Sequence, residues 1–206
     1  YVLVLSHDEV VHLKCSMINK MPGIGQDKFE NLKAGYSYMI GHPGKKLLFM
    51  GQDFGQYQEW SEERELDWYL LGEQNHQQLQ NYVKELLKMY KKYPALYAND
   101  SNYQGLEWIN ADDASRSIYS FVRWSPTGRN NLLFVINYTP VARDDYRVGV
   151  PKRKQYKLIL NSKEPEFGGD VHKEVVDYKA VKKECDGRPF SFAYPLPAYG
   201  VAVFRF

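Results

Sequence analysis

An imidazole and a carboxylate stand side by side in His7-Asp8, within Ser6-His7-Asp8-Glu9, directly after the apolar run Tyr1 to Leu5. The run reads as a buried strand. Titratable groups at its carboxyl end lie where parallel-sheet enzymes hold their chemistry, because the loops leaving that end aim several side chains into one crevice. Neighbours on a continuing strand point to opposite faces, whereas at a strand end both can turn into the same cleft. Such a pair can act as a general base, hold a metal or grip sugar hydroxyls. Metal coordination would need a second histidine at ligand spacing on a regular element, and His12 falls in the loop, so no metal site is expected. Ser6 has no glycine-rich elbow around it, which argues against a nucleophilic triad. The alternative to chemistry is local: Asp8 caps the turn and His7 satisfies a backbone carbonyl.

A second group of candidates lies in the acidic and aromatic stretch from Tyr57 to Leu71, which contains Glu59, Trp60, Asp67 and Trp68. Aromatic faces stack on the apolar face of a sugar ring and carboxylates accept from its hydroxyls, so the combination suits a glucan chain. The competing reading has both tryptophans closing the end of the α/β part against the rest of the protein. Gln52 and Asp53 follow the second apolar run and would face the same end.

The elements that must position these residues change character near residue 100. Before it, strands alternate with helices. A helix capped by Asp27 carries Phe29, Leu32, Tyr36, Met39 and Ile40 at steps of three and four, and stops at Gly41-His42-Pro43-Gly44, where glycine would supply a left-handed cap. Leu47 to Met50 reads as a short strand buried on both faces. A second helix from about Asn75 to Tyr90 has Leu79, Tyr82, Val83, Leu86, Leu87 and Tyr90 on one side and ends before Pro94. The connection between the first two strands suits a right-handed parallel crossover. Beyond residue 100 the period becomes two. Short strands are predicted at Leu106 to Asn110, Ser117 to Trp124, Leu132 to Tyr138, Tyr146 to Val150, Tyr156 to Leu160, Glu174 to Tyr178, Phe190 to Tyr194 and Gly200 to Phe206. That spacing indicates an antiparallel sandwich or open barrel, with Trp108 and Trp124 in packing roles.

Two domains are therefore expected, residues 1–99 and 100–206. Two βα units cannot close a barrel, and a strand at residue 1 leaves the preceding part of a complete sheet missing, so the chain is expected to be the last part of a larger enzyme. Bare strand surface would then invite self-association. Composition agrees with a folded chain: 206 residues, 44% hydrophobic and 25% charged. A net charge of +2 and the scattered Lys91-Lys92, Lys152-Arg153-Lys154 and Lys182-Lys183 give no nucleic-acid face. No stretch of these residues reads as a membrane span or a secretory leader. Cys15 and Cys185, far apart and outside any metal-binding pattern, are expected to be reduced thiols in the cytoplasm, and no cofactor is expected.

Several ordered motifs make the reading specific. Leu5-Ser6-His7-Asp8-Glu9-Val10-Val11-His12, Lys20-Met21-Pro22-Gly23, Gly41 to Gly51, Glu59-Trp60 with Leu66-Asp67-Trp68, Phe134 to Pro140, Tyr146 to Pro151, and Asn161-Ser162 with Phe167-Gly168-Gly169 resemble the C-terminal part of 1,4-α-glucan (glycogen) branching enzymes of the α-amylase superfamily, glycoside hydrolase family 13. The resemblance covers nearly the whole chain. It implies the last two βα units of a (β/α)8 barrel followed by an antiparallel β-sandwich, an α-glucan substrate, and no cofactor. It also implies that Asp8 matches the aspartate that hydrogen-bonds the sugar being cleaved and stabilises the transition state, and that His7 matches the histidine contacting the same sugar. The family's nucleophile and general acid lie on earlier strands, so the chain alone is expected to be inactive. Asp53 stands where the family pattern has glutamate, which leaves its contact with substrate open. A superfamily hydrolase and a non-catalytic glucan-binding or structural sandwich are the alternatives.

Overall fold

Leu132 to Asn137 is a stretch in which every side chain is buried, and the architecture explains why a strand needs both its faces apolar. The computed structural model describes residues 5–172 and 175–206. Two helices, α1 (Gln26–Gly41) and α2 (Gln74–Lys92), precede strands β1 (Leu106–Asn110), β2 (Ile118–Arg123), β3 (Leu132–Asn137), β4 (Arg143–Val150), β5 (Gln155–Asn161), β6 (Asp177–Lys179), β7 (Phe190–Leu196) and β8 (Val201–Arg205). Six strands form one sheet in the order β1-β2-β3-β8-β5-β6, and β4 pairs with β7 in a second sheet; all these pairings are antiparallel. On one face of the larger sheet Phe121, Leu132, Phe134, Ile136 and Val203 join the core of α1 and α2. On the other, Val122, Leu133, Val135 and Phe204 meet Tyr146, Val148, Phe192 and Tyr194 of the second sheet. Alternation along β3 thus feeds two cores at once.

The expected strands appear with shifted ends. The strand expected from Glu174 begins at Asp177 among the described residues, and residue 174 itself lies outside them. Most of the apolar run Tyr1 to Leu5 also lies outside them. Leu5 is described, and it forms a parallel bridge with Leu48, backed by a hydrogen bond from the Phe49 N–H to the Leu5 carbonyl of 3.2 Å. Leu47 to Met50 is therefore a bridge and not the expected strand buried on both faces, since Leu47 and Met50 are 40% and 49% exposed.

Both helices form on the expected faces, with different ends. The N-cap of α1 is Gly25 at φ 51°, without a side-chain cap bond; Asp27 lies in the first turn, where its charge favours the helix dipole. Gly41 is the last helical residue and supplies no left-handed cap. Its role is close approach: a Cβ there would lie 2.8 Å from Cζ of Phe121 and 2.9 Å from Cε1 of Phe134. The helix ends because His42, preceding Pro43, adopts an extended conformation, as residues before proline do. In α2, Leu79, Tyr82, Val83, Leu86 and Met89 are buried, whereas Leu87, expected on the same side, is exposed. No described helix is long and apolar enough to cross a membrane.

One buried cation that the periodicity does not flag, Lys33, and a half-buried one, Lys163, tie α1 to the segment after β5. The Lys33 ammonium donates to Glu30 Oε1 at 2.7 Å and to the Phe167 carbonyl at 2.8 Å, and Lys163 reaches Glu30 Oε2 at 3.0 Å. Burial pushes the Lys33 pKa below its ordinary value, with the Glu30 carboxylate opposing the shift.

Candidate functional site

After Leu5 the chain leaves the parallel bridge through Ser6 and winds into a 3-10 turn, His7–Glu9. Ser6 donates from its hydroxyl to Asp8 Oδ2 at 3.4 Å, and His7 Nε2 lies 3.1 Å from Asp8 Oδ1. More than half of each of these two side chains remains in solvent, 55% for His7 and 68% for Asp8. The His7 ring also approaches Phe49, 5.9 Å between centroids, so the pair stands directly over the bridged segments. Glu9 is turned aside: its carboxylate lies 3.5 Å from the Lys20 ammonium. Consecutive carboxylates here do not converge.

An open cleft of about 650 Å3 adjoins the pair, lined by His7, Val11, His12, Glu59, Trp60 and the segment Ser61 to Arg64. Three residues singled out in the sequence, His7, Glu59 and Trp60, meet in it. Asp8 is not among the lining residues; its Oδ1 lies 3.1 Å from Nε2 of His7, which is. Asp67 and Trp68 are not part of the lining. Asp67 is buried, and its N–H donates to Gln56 Oε1 at 2.9 Å. Trp68 is half exposed and leans on Phe54, 5.3 Å away. Trp60 packs its ring edge-on against Phe49 at 5.1 Å. The two tryptophans thus close onto Phe49 and Phe54 of the α/β part. Asp53 accepts from Gln80 Nε2 at 3.1 Å, which turns it toward α2. Trp108 and Trp124 pack against Phe121 and Phe206, at 5.3 Å and 5.7 Å.

Glu59 proves to be engaged with backbone. The Leu13 N–H donates to its Oε2 at 3.0 Å and the Cys15 N–H to its Oε1 at 2.5 Å. These amides belong to a loop in which His12, Leu13 and Cys15 all have positive φ, 59°, 64° and 67°. No glycine or asparagine marks that conformation, so the sequence carries no signal for it. Lys14, between the two donors, sends its ammonium back to the Asp8 carbonyl at 2.8 Å. Across the cleft, Trp60 N–H donates to the Val10 carbonyl at 3.0 Å, and Arg64 to the carbonyl of Glu59.

Chemically, this arrangement offers acceptors from Asp8, a ring nitrogen from His7 and an aromatic wall, a set suited to hydroxyl-rich ligands. Among the described residues no cluster of three or more His, Cys, Asp or Glu side chains could hold a metal ion, and both cysteines are free.

Residues 108–206 match the family model described as alpha amylase, C-terminal all-beta domain. The whole chain is 54% identical to a protein of Butyrivibrio fibrisolvens named 1,4-alpha-glucan branching enzyme GlgB, covering 32% of that protein. It is 45% identical over 205 residues to a protein of the same name from Aquifex aeolicus and 42% to one from Bacillus caldolyticus, covering 32% and 31% of them. The chain spans about a third of the length of these curated relatives.

Proposed function

We propose, for a chain homologous along its whole length to the C-terminal portion of 1,4-alpha-glucan branching enzymes, that it serves the transfer of an α-1,4-glucan segment to a 6-hydroxyl, forming an α-1,6 branch. In this reading residues 1–99 are the last two βα units of the catalytic barrel and residues 100–206 the C-terminal all-β domain. The observation that carries it is the parallel pairing of Leu5 with Leu48 across helix α1, with His7 and Asp8 at its carboxyl end beside an open cleft. Parallel pairing requires a crossover, and the carboxyl end of such a pair is where barrel enzymes bind substrate.

Asp8 would accept hydrogen bonds from the hydroxyls of the sugar being cleaved while His7 orients it and the same ring. As positive charge develops at the anomeric carbon, hydrogen bonds at the neighbouring 2-hydroxyl strengthen, contributing several kcal/mol to the transition state. Bond cleavage needs two more carboxyl groups, a nucleophile and a general acid, about 5 to 5.5 Å apart in a retaining mechanism. Glu9, held by Lys20, is not placed to be either. These 206 residues would therefore bind and stabilise without cleaving.

Glu59 and Trp60 belong to the cleft wall in this proposal, and Asp67 and Trp68 to its support. The exposed Leu47 and Met50 beside the bridge are apolar surface that further barrel strands would cover, and that would drive self-association of the chain alone. Free Cys15 and Cys185 suit a reducing compartment such as the cytoplasm.

The test is assembly of new α-1,6 links from linear α-glucan by a polypeptide carrying this chain at the full length of its relatives. Asp8→Ala should cut turnover steeply; a normal rate would refute the role given to Asp8. Release of short sugars without new branches would replace transfer by hydrolysis. Branch formation by the chain alone would overturn the statement that the cleaving carboxyl groups lie elsewhere.

A further inference from the structure

We propose that Glu59 is a positioning residue and not a sugar ligand: its carboxylate fills a nest of backbone N–H groups in the loop after Asp8, and this lock fixes where Asp8 stands. The effect on turnover rests on the branching reading; the lock itself does not.

The loop's backbone supplies the first reason. His12, Leu13 and Cys15 all occupy the left-handed region, which side chains with a Cβ rarely adopt and which persists only where the surroundings over-determine it. Successive backbone N–H groups in turns that mix left-handed with right-handed residues can form a concave, anion-binding cradle. The cradle here is filled from within the chain. Both oxygens of Glu59 are turned onto it, one to Leu13 N–H at 3.0 Å and one to Cys15 N–H at 2.5 Å, from a position 44 to 46 residues away in sequence. Charge-assisted bonds of this type are stronger than neutral ones, and two of them on one carboxylate fix direction as well as distance.

The second reason is the path to Asp8. Lys14 lies between the two held amides, and its ammonium donates to the Asp8 carbonyl at 2.8 Å. Trp60, next to Glu59, holds the other side of the loop through its N–H and the Val10 carbonyl at 3.0 Å. Arg64 in turn bonds the Glu59 carbonyl, stiffening the segment from which the carboxylate reaches. The held loop therefore runs from Asp8 to Cys15, with attachments at Asp8, Val10, Leu13 and Cys15. Freed at Leu13 and Cys15, Lys14 would lose the geometry that reaches back to Asp8.

The experiment has two readouts. In the chain alone, without sugar, amide hydrogen exchange is measured for Glu59→Ala and Glu59→Gln. Protection at Leu13 and Cys15 should fall roughly tenfold to a hundredfold in the alanine variant and less in the glutamine variant, which keeps one acceptor oxygen. Amides of β3 and α2 should keep theirs, which separates loop release from unfolding. Unchanged protection at Leu13 and Cys15 in both variants overturns the lock. In the full-length polypeptide, Glu59→Gln should lower kcat about tenfold at nearly constant KM, because a displaced Asp8 costs transition-state stabilisation. A raised KM at constant kcat would instead make Glu59 a direct sugar ligand and overturn the proposal. If the unsubstituted full-length polypeptide makes no branches, the branching reading fails while the exchange data still decide the lock.

Discussion

The guanidinium of Arg123 donates from Nη1 to the carbonyl of Gly41 at 2.6 Å, fastening the central sheet to the last residue of α1. Its other nitrogens are also committed, Nε to the Gly105 carbonyl at 3.0 Å and Nη2 to Asp100 Oδ1 at 2.7 Å. The side chain is fully buried, and burial lowers its pKa while Asp100 opposes the shift. One planar fork thus joins a helix end, a turn and a carboxylate.

Replacing it should be costly. Arg123→Met leaves Asp100 and two carbonyl groups without their donor, and loss of one partner from a buried ion pair typically costs about 3 to 5 kcal/mol. Arg123→Lys should recover little, since a point charge cannot serve three acceptors in a fixed fork. Urea unfolding of the chain measures both, and a loss below about 1 kcal/mol in the methionine variant would contradict the fork's structural role.

Gly41→Ala tests the same junction by volume. The added Cβ would meet Phe121 and Phe134, both fully buried, whose rings are stacked 5.0 Å apart at 6°. Overpacking of this kind costs about 1 to 3 kcal/mol, against a gain of roughly 1 kcal/mol from alanine's better helix propensity. A lowered Tm is expected; a raised one would show that the rings can yield.

Lys46 gives a pH signature. Its ammonium donates to the His42 carbonyl and lies 5.7 Å from the Tyr90 ring centroid; burial lowers its pKa to about 8 from 10.5, Asp100 opposing the shift. The unfolded chain then holds more protons at this site across the window between those two values, so stability rises with pH as the folded ammonium is discharged. Above about pH 10 tyrosine ionisation in the unfolded chain works the other way, because burial raises the pKa values of Tyr82, Tyr156 and Tyr194 in the fold. Unfolding free energies from about pH 8 to about pH 10 should therefore climb more in the parent chain than in Lys46→Met. Equal slopes would refute the burial of this charge.

Asp8→Ala should separate stability from chemistry. The side chain is 68% exposed and its bonds are to Ser6 and His7 within the same turn. Surface changes of this type stay within about 0.5 kcal/mol, so unfolding should be unaffected while turnover in the full-length polypeptide drops. A large loss of stability would make Asp8 a structural residue.

Much of the fold is legible in the order of residues. The apolar steps of α1, from Phe29 to Ile40, name its buried face correctly, and the unbroken apolar run of β3 fits a strand buried on both faces, because both follow from the geometry of a single element. Element ends are harder. The stop at Gly41 reads as a left-handed cap, yet packing against Phe121 and Phe134 accounts for the glycine, and the pre-proline His42 ends the helix. Of the candidate site residues, His7 and Asp8 come together simply by adjacency, and Glu59 and Trp60 join the cleft only through the fold. Asp67 and Trp68 resemble them in type and sit outside it.

Side-chain order dictates the two helices and the strands beyond residue 100, where the period changes, and that His7 and Asp8 follow an apolar run; these are local properties of volume, polarity and spacing. Long-range packing settles the rest: Glu59 spends its charge on the Leu13 and Cys15 amides, and Arg123 and Lys33 are buried cations with partners far along the chain. A charged residue reads the same in sequence whether it meets water or a distant carbonyl. The difference arises when the chain brings a compensating group within bonding distance and removes the solvent, and no local pattern encodes that event.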